Sequence, residues 1–216
     1  MKKTILFDLD GTLIDSTEAI LECFHYAFSE QNFKFFGTNE DIKNEIGYPL
    51  DIMFYNLGVD KNKVWDFVDS YKKEYSKISI KKTFLLSNAK KSIDLASTFA
   101  TLAIVTTKTT SYSIKMLEDF GIFEYFDTII GRQEVKNPKP DPEPVEKALK
   151  NLNINPSLDV YMIGDTKLDI IAANKANINS VGVLCGYGKR EDLSLYTNNI
   201  VADSLEAVES IKKNYF

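Results

Sequence analysis

The sequence predicts an α/β protein: a doubly wound (Rossmann-like), mostly parallel sheet core that carries an inserted α-helical unit. Short apolar runs bounded by turn residues recur at 4–7, 102–106, 128–130, 160–163 and 180–184, each of a length that suits a buried strand. From about residue 84 onward these runs alternate with segments of helical spacing, the pattern of a parallel sheet wound by crossover helices. Residues 16–82 break that alternation: they are rich in aromatics and Lys, and their apolar spacing is helical throughout.

Taken in order, Ile5-Leu6-Phe7 is the first strand and ends abruptly at Asp8. Ile20, Cys23, Phe24, Ala27 and Phe28, and then Val64, Phe67, Val68 and Tyr71, each mark one face of a helix in the insertion. Trp65 and the Tyr/Phe-rich stripes are expected in the core of that unit, and His25, among Phe24, Tyr26 and Phe28, on its packing or surface. After the strand at 102–106, Ile114, Leu117 and Phe120 form a helical face that stops at Gly121. Val145, Ala148, Leu149 and Leu152 form another that stops at Asn153; Gly and Asn suit the left-handed position that closes a helix. The expected division is therefore residues 1–15 and 83–216 as the α/β core, with 16–82 inserted after the first strand. An insertion there lies across the C-terminal strand edge, where open α/β sheets bind their ligands.

The bulk properties exclude several classes. Apolar residues make up 44% and charged residues 26%, so the chain has the composition of a folded globular protein. A formal charge of −5 gives no basic footprint for a nucleic-acid polymer. No run of about 18 apolar residues is present, so no spanning helix and no membrane partner is expected. The positive start, Met1-Lys2-Lys3-Thr4, is followed by an apolar run too short for an export signal, and Cys23 and Cys185 form no C-x-x-C pair. Cytoplasmic location with reduced thiols follows as the expectation, with a monomer or weak homodimer as the assembly.

Chemistry concentrates in a few residues. In Asp8-Leu9-Asp10-Gly11-Thr12 two carboxylates stand two positions apart at a strand end, so they converge while Leu9 points to the core. Gly11 permits the tight turn needed there. An ionised Asp8 beside a divalent cation can attack phosphorus and Asp10 can carry a proton; a solvated acidic turn is the plainer alternative. Leu102-Ala103-Ile104-Val105-Thr106-Thr107 ends a strand in hydroxyls that, with neighbouring N–H groups, can donate to a phosphoryl oxygen, although Thr in a strand needs no such role. In Lys139-Pro140-Asp141-Pro142 the prolines restrict the chain around an ammonium, and Lys136 lacks that setting. The same residues also read as a helix start with a solvated lysine. Met162-Ile163-Gly164-Asp165-Thr166-Lys167-Leu168-Asp169 sets two acids one helical turn apart after a strand, with helix capping as the alternative.

These four elements, in this order, resemble the haloacid dehalogenase-like superfamily, and within it the phosphoglycolate phosphatase-like branch with a helical cap. The resemblance implies a phosphatase that hydrolyses a small phosphorylated metabolite through an aspartyl-phosphate on Asp8, with Asp10 as acid and base and Lys139 as the charge-neutralising catalytic residue. It implies Mg²⁺ held by Asp8, the backbone carbonyl of Asp10, and Asp165, with Asp169 behind them. Phosphate binding falls to Thr106, Thr107 and Lys139; Thr107 stands where the family often has Asn, with Lys108 following as it does there. Gly47-Tyr48-Pro49-Leu50 resembles a cap loop, which makes Tyr48 a candidate substrate contact and a simple turn its alternative. A β-phosphoglucomutase-like phosphosugar mutase, a pyrophosphatase or nucleotidase of the same branch, and a catalytically idle binding module are the competing readings.

Overall fold

The computed structural model describes residues 2–213. Its principal sheet has six strands: β1 (Lys3–Phe7), β4 (Ala100–Val105), β5 (Thr128–Ile130), β6 (Val160–Gly164), β7 (Asn179–Val183) and β8 (Ile200–Val201). They lie in the order β5-β4-β1-β6-β7-β8, and every pairing is parallel. The chain thus starts in the middle and winds outward both ways, which places the reversal of winding between β1 and β6. Two short strands, β2 (Ile14–Asp15) and β3 (Phe84–Leu85), form a separate two-stranded sheet.

The helices are α1 (Thr17–Glu30), α2 (Asn39–Lys43), α3 (Leu50–Asn56), α4 (Val64–Ile78), α5 (Ala89–Ser97), α6 (Thr110–Asp119), α7 (Glu143–Leu152), α8 (Lys167–Lys175), α9 (Arg190–Leu193) and α10 (Ser204–Lys213). Their ends follow local chemistry. Glu143 and Glu146 lie in the first turn of α7, where the helix dipole favours acids, and Asn153 closes it at φ 55°. Thr166 and Asp169 form a reciprocal capping box that starts α8. Among the described residues, no helix is long and apolar enough to cross a membrane.

The chain divides into two compact units, one of residues up to Ile14 together with those from Leu85 onward, the other Asp15–Phe84. In the first, Leu6, Val105 and Met162 from three adjacent strands pack with Val145, Ala148 and Leu149 of α7 and Ala172 and Ala173 of α8. Burying each large aliphatic side chain contributes roughly 1.5–3 kcal/mol, enough to hold the three strand ends level. In the second unit, the rings of Phe24, Phe28, Phe54, Phe67 and Tyr71 form a continuous aromatic core. Trp65 departs from expectation. It is 58% exposed, because the buried stripe of α4 runs through Val64, Phe67, Val68, Tyr71 and Tyr75, and the next position after Val64 turns about 100° away from it. His25 is on the surface, its Nε2 2.6 Å from Asn39 Oδ1.

Strand boundaries shift by a residue or two. The run at 102–106 is a strand from Ala100 that ends at Val105, and Thr106 follows it, still tied in by a 2.9 Å bond from its N–H to Ile130 O. The run at 180–184 is a strand from Asn179 to Val183.

Candidate active site

Register sets the site. Phe7 pairs with Ile104 on one side and Ile163 on the other, so Asp8, Thr106 and Asp165 emerge within two residues of one level on three neighbouring strands. The turn after β1 is wound on Leu9, which is wholly buried and whose carbonyl accepts from Leu13 and Ile14 N–H at 2.9 and 3.0 Å. Gly11 stands at φ +80°, and a Cβ there would lie 2.4 Å from Asp165 Oδ2, so both conformation and space demand glycine.

Asp8, Asp165 and Asp169 each bring a carboxylate oxygen within 4.8 Å of the others, and all three side chains are buried. Lys139 is their counter-charge. Its Nζ lies 2.9 Å from Asp8 Oδ1, accompanies Asp169 Oδ1 as an ion pair, and donates to Val105 O at 3.0 Å. Two of the ammonium's three protons are thereby committed, to Asp169 and Val105 O, while Asp8 Oδ1 is held beside it by charge. Asp169 is held further by Thr166, whose N–H and Oγ1 donate to its Oδ2 at 3.0 and 2.8 Å. Asp165 is clamped from both sides, Thr12 Oγ1 donating to Oδ1 at 3.0 Å and Tyr187 N–H to Oδ2 at 2.8 Å.

The charges do not balance. Three carboxylates face one ammonium, and burial together with the charge of Asp169 pushes the Asp8 carboxyl up to about 7 despite Lys139. Burial, then the charges of Asp169 and Asp8, hold Asp165 well above the usual carboxylate range. Burial works to lower the Lys139 ammonium, but Asp169 and Asp8 outweigh it and raise it. Although Lys139 stands close to Asp8 Oδ1, no donor is aligned on that buried oxygen. An orphaned carboxylate oxygen in an all-oxygen, net-negative cluster is the donor set a hard divalent cation takes.

The other predicted residues divide around this cluster. Asp10 turns its carboxylate to Lys108, with Oδ2 2.8 Å from Nζ. Thr106 is buried, and its Oγ1 accepts from Lys108 N–H at 3.2 Å, which leaves its hydroxyl proton for a second acceptor. Its own backbone N–H is engaged by Ile130 O of β5. Thr107 follows half-buried. Tyr48 belongs to the Asp15–Phe84 unit, where it forms an isolated bridge with Ile46 just before α3 and donates its N–H to Glu45 O at 3.1 Å.

Two features escaped the motif reading. One is Lys108, whose role the sequence left open; its place directly after the hydroxyl pair at a strand end was the available signal. The other is the segment Leu184-Cys185-Gly186-Tyr187-Gly188. A Cβ on Gly186 would lie 2.2 Å from Asp165 Oδ2 and 2.4 Å from Gly11 O, and one on Gly188 1.9 Å from Asp165 O. Closely spaced glycines after a strand mark such close approaches. Cys185 donates its thiol to Gly11 O at 3.4 Å, and burial, then the charge of Asp165, push that thiol up to about 12.

The sequence pattern of haloacid dehalogenase-like hydrolases matches residues 5–183. A pyrophosphatase PpaX of Halalkalibacterium halodurans is 35% identical over 188 residues, which cover 87% of this chain and 85% of that protein. A phosphoglycolate phosphatase of Colwellia psychrerythraea is 29% identical over 205 residues, 90% of each chain. Among solved structures, a haloacid dehalogenase-like family hydrolase from Streptococcus pneumoniae superposes with a TM-score of 0.86 at 29% identity, covering 97% of this chain and 98% of its own.

Proposed function

This chain belongs to the haloacid dehalogenase-like hydrolases and is a phosphatase of that family, and we propose that it is Mg²⁺-dependent and works through an aspartyl-phosphate on Asp8. The observation that carries the reading is the orphaned, buried Asp8 oxygen inside a net-negative carboxylate cluster. Such an oxygen is desolvated and lacks an aligned hydrogen bond although Lys139 stands beside it, and a carboxylate has two oxygens, one to ligate a metal and one to attack phosphorus.

Asp8, Asp165 and the backbone carbonyl of Asp10 would hold the ion, with Asp169 positioning Lys139 beside them. Mg²⁺, when bound, offsets negative charge on the transferring phosphoryl group and brings the carboxyls of Asp8 and Asp165 to their ionised forms. Asp8 forms the new P–O bond as the bond to the leaving oxygen breaks, and Asp10 supplies that oxygen with a proton. Asp10 then takes a proton from the water that attacks phosphorus and returns Asp8 to a free carboxylate. The Thr106 hydroxyl donates to a phosphoryl oxygen, with Thr107 beside it. Lys139 keeps Asp8 charged between the steps. Residues 15–84 correspond to the family's cap.

The substrate class is a small phosphorylated metabolite of the kind phosphoglycolate represents. A second reading, inorganic pyrophosphate, is favoured by the relative named for that activity and by the absence of Arg from residues 16–82, which removes a guanidinium clamp for a substrate carboxylate. Phosphate release from phosphoglycolate, pyrophosphate, nucleoside monophosphates and sugar phosphates, with Mg²⁺ and with chelator, tests both. Release from at least one of them that chelator abolishes is expected. Phosphate-free turnover of a sugar phosphate to its isomer would replace the hydrolase by a mutase, and activity indifferent to chelator would reject the metal.

A further inference from the structure

We propose that Lys108 is the leaving-group cation of this site: with Asp10 it contacts the departing oxygen, and it stabilises the negative charge that develops there, most where the leaving group departs reluctantly. The inference rests on the phosphatase reading and deepens it.

Three observations place Lys108 in the machinery. Its Nζ is 2.8 Å from Asp10 Oδ2, and the two side chains are only 8% and 14% exposed, so this is a nearly buried pair, unlike the solvated ion pairs of the helix surfaces. Its backbone is fixed on both sides: its N–H donates to Thr106 Oγ1 at 3.2 Å, and its carbonyl accepts from Arg132 N–H at 2.9 Å. The carbonyl is approached so closely by β5's exit that a Cβ on Gly131 would lie 2.7 Å from it. A lysine held this way is pre-organised, and its ammonium stays in a low-dielectric setting where one charge is worth far more than in water.

Geometry then assigns the role. The two ammonium groups serve different carboxylates, Lys139 the nucleophile Asp8 and Lys108 the proton carrier Asp10. An oxygen that takes a proton from Asp10 sits at hydrogen-bond distance from that carboxyl, and therefore within a few ångström of Lys108 Nζ. As the P–O bond breaks, the electron pair goes to the leaving oxygen. With an alcohol, the proton from Asp10 and the charge of Lys108 share its stabilisation. With a phosphate as leaving group, which departs already anionic, Lys108 supplies the balancing charge and no proton transfer is required. Lys139 stands instead on the side of the nucleophile, beside Asp8 and bonded to Asp169 and Val105 O.

The test compares the full-length protein with Lys108→Met and Lys108→Arg on phenyl phosphate and p-nitrophenyl phosphate. Thermal unfolding checks that the variants are folded. Lys108→Met is expected to lower kcat/KM about a hundredfold for phenyl phosphate, the size of one lost oxyanion donor. The loss on p-nitrophenyl phosphate, whose leaving group needs little help, is expected to stay within about fivefold, and Lys108→Arg should recover most of the activity. Equal losses on phenyl and p-nitrophenyl phosphate, or no loss on phenyl phosphate, overturn the assignment. A wild-type protein that releases phosphate from none of these substrates or the metabolite panel instead overturns the phosphatase reading.

Discussion

Asp8→Asn separates what the proposed nucleophile does for chemistry from what it costs the fold. In the metal-free protein the Asp8 carboxyl sits at about 7 rather than its ordinary 3.8, because it is buried and faces Asp169, with only partial relief from Lys139. Ionising it in place therefore costs about 4 kcal/mol. The folded state binds this proton more tightly than the unfolded chain. The associated stability is fully present below about pH 4 and is lost as pH rises through about 7. Asparagine keeps the neutral shape without titrating. In chelator, the variant should be the more stable by about 2 kcal/mol at pH 5 and by up to about 4 kcal/mol at pH 8. At about 2–4 °C per kcal/mol for a chain of this size, the gap in Tm reaches roughly 10 °C. Thermal or urea unfolding of both proteins from pH 5 to 8.5, with and without Mg²⁺, measures it, and taking the difference cancels groups common to both. Added Mg²⁺ should stabilise the wild type most at high pH, where its ligands are already deprotonated, and the variant less, while turnover of the variant is abolished. A variant less stable than wild type at pH 8 in chelator would refute the charge argument, and full turnover would refute the covalent route.

Two further outcomes follow from the site's geometry. Asp10→Asn keeps the nucleophile but removes the proton carrier, so turnover should fall about 10²–10⁴-fold while an activated aryl phosphate still labels Asp8; acid quench and intact-protein mass measurement would detect the phosphoprotein, and wild-type turnover would count against the assignment. Gly186→Ala puts a methyl 2.2 Å from Asp165 Oδ2, so Asp165 must move and Mg²⁺ affinity should drop about 10–100-fold, read by calorimetry; unchanged affinity would mean Asp165 is no ligand.

The strand–helix alternation was legible because each main strand is a short apolar run cut off by a turn residue, and because Gly121 and Asn153 take the left-handed backbone their positions require, at φ 64° and 55°. Strands of two residues were not. Ile200–Val201, Ile14–Asp15 and Phe84–Leu85 carry no period and exist only because a neighbouring strand offers hydrogen bonds. Strand order is equally silent in composition, since it records which crossover packed where. Trp65 shows the limit of residue type as a guide: its size suggests a core place, while its phase on α4 assigns it to the surface.

The site divides along the same line between what sequence proximity encodes and what tertiary contact creates. Asp8 and Asp10, or Asp165 and Asp169, could be paired by spacing alone, since a strand end and a helical turn fix where their side chains go. Pairings across the sheet could not. Asp10 meets Lys108 across 98 positions, and Tyr187 N–H reaches Asp165 across 22, and in neither case does a local period connect the partners. Yet these contacts determine how each acid behaves. Asp8 and Asp10 have the same functional group and lie two residues apart, but one stands among three buried carboxylates around the single ammonium of Lys139, while the other faces the ammonium of Lys108. The first holds more carboxylates than ammonium groups and so favours a further cation, and the second pairs one of each. The proposed division of labour between a metal-linked nucleophile and a proton carrier rests on that difference in surroundings, and strand register together with the Gly11, Gly131 and Gly186 contacts is what maintains the difference.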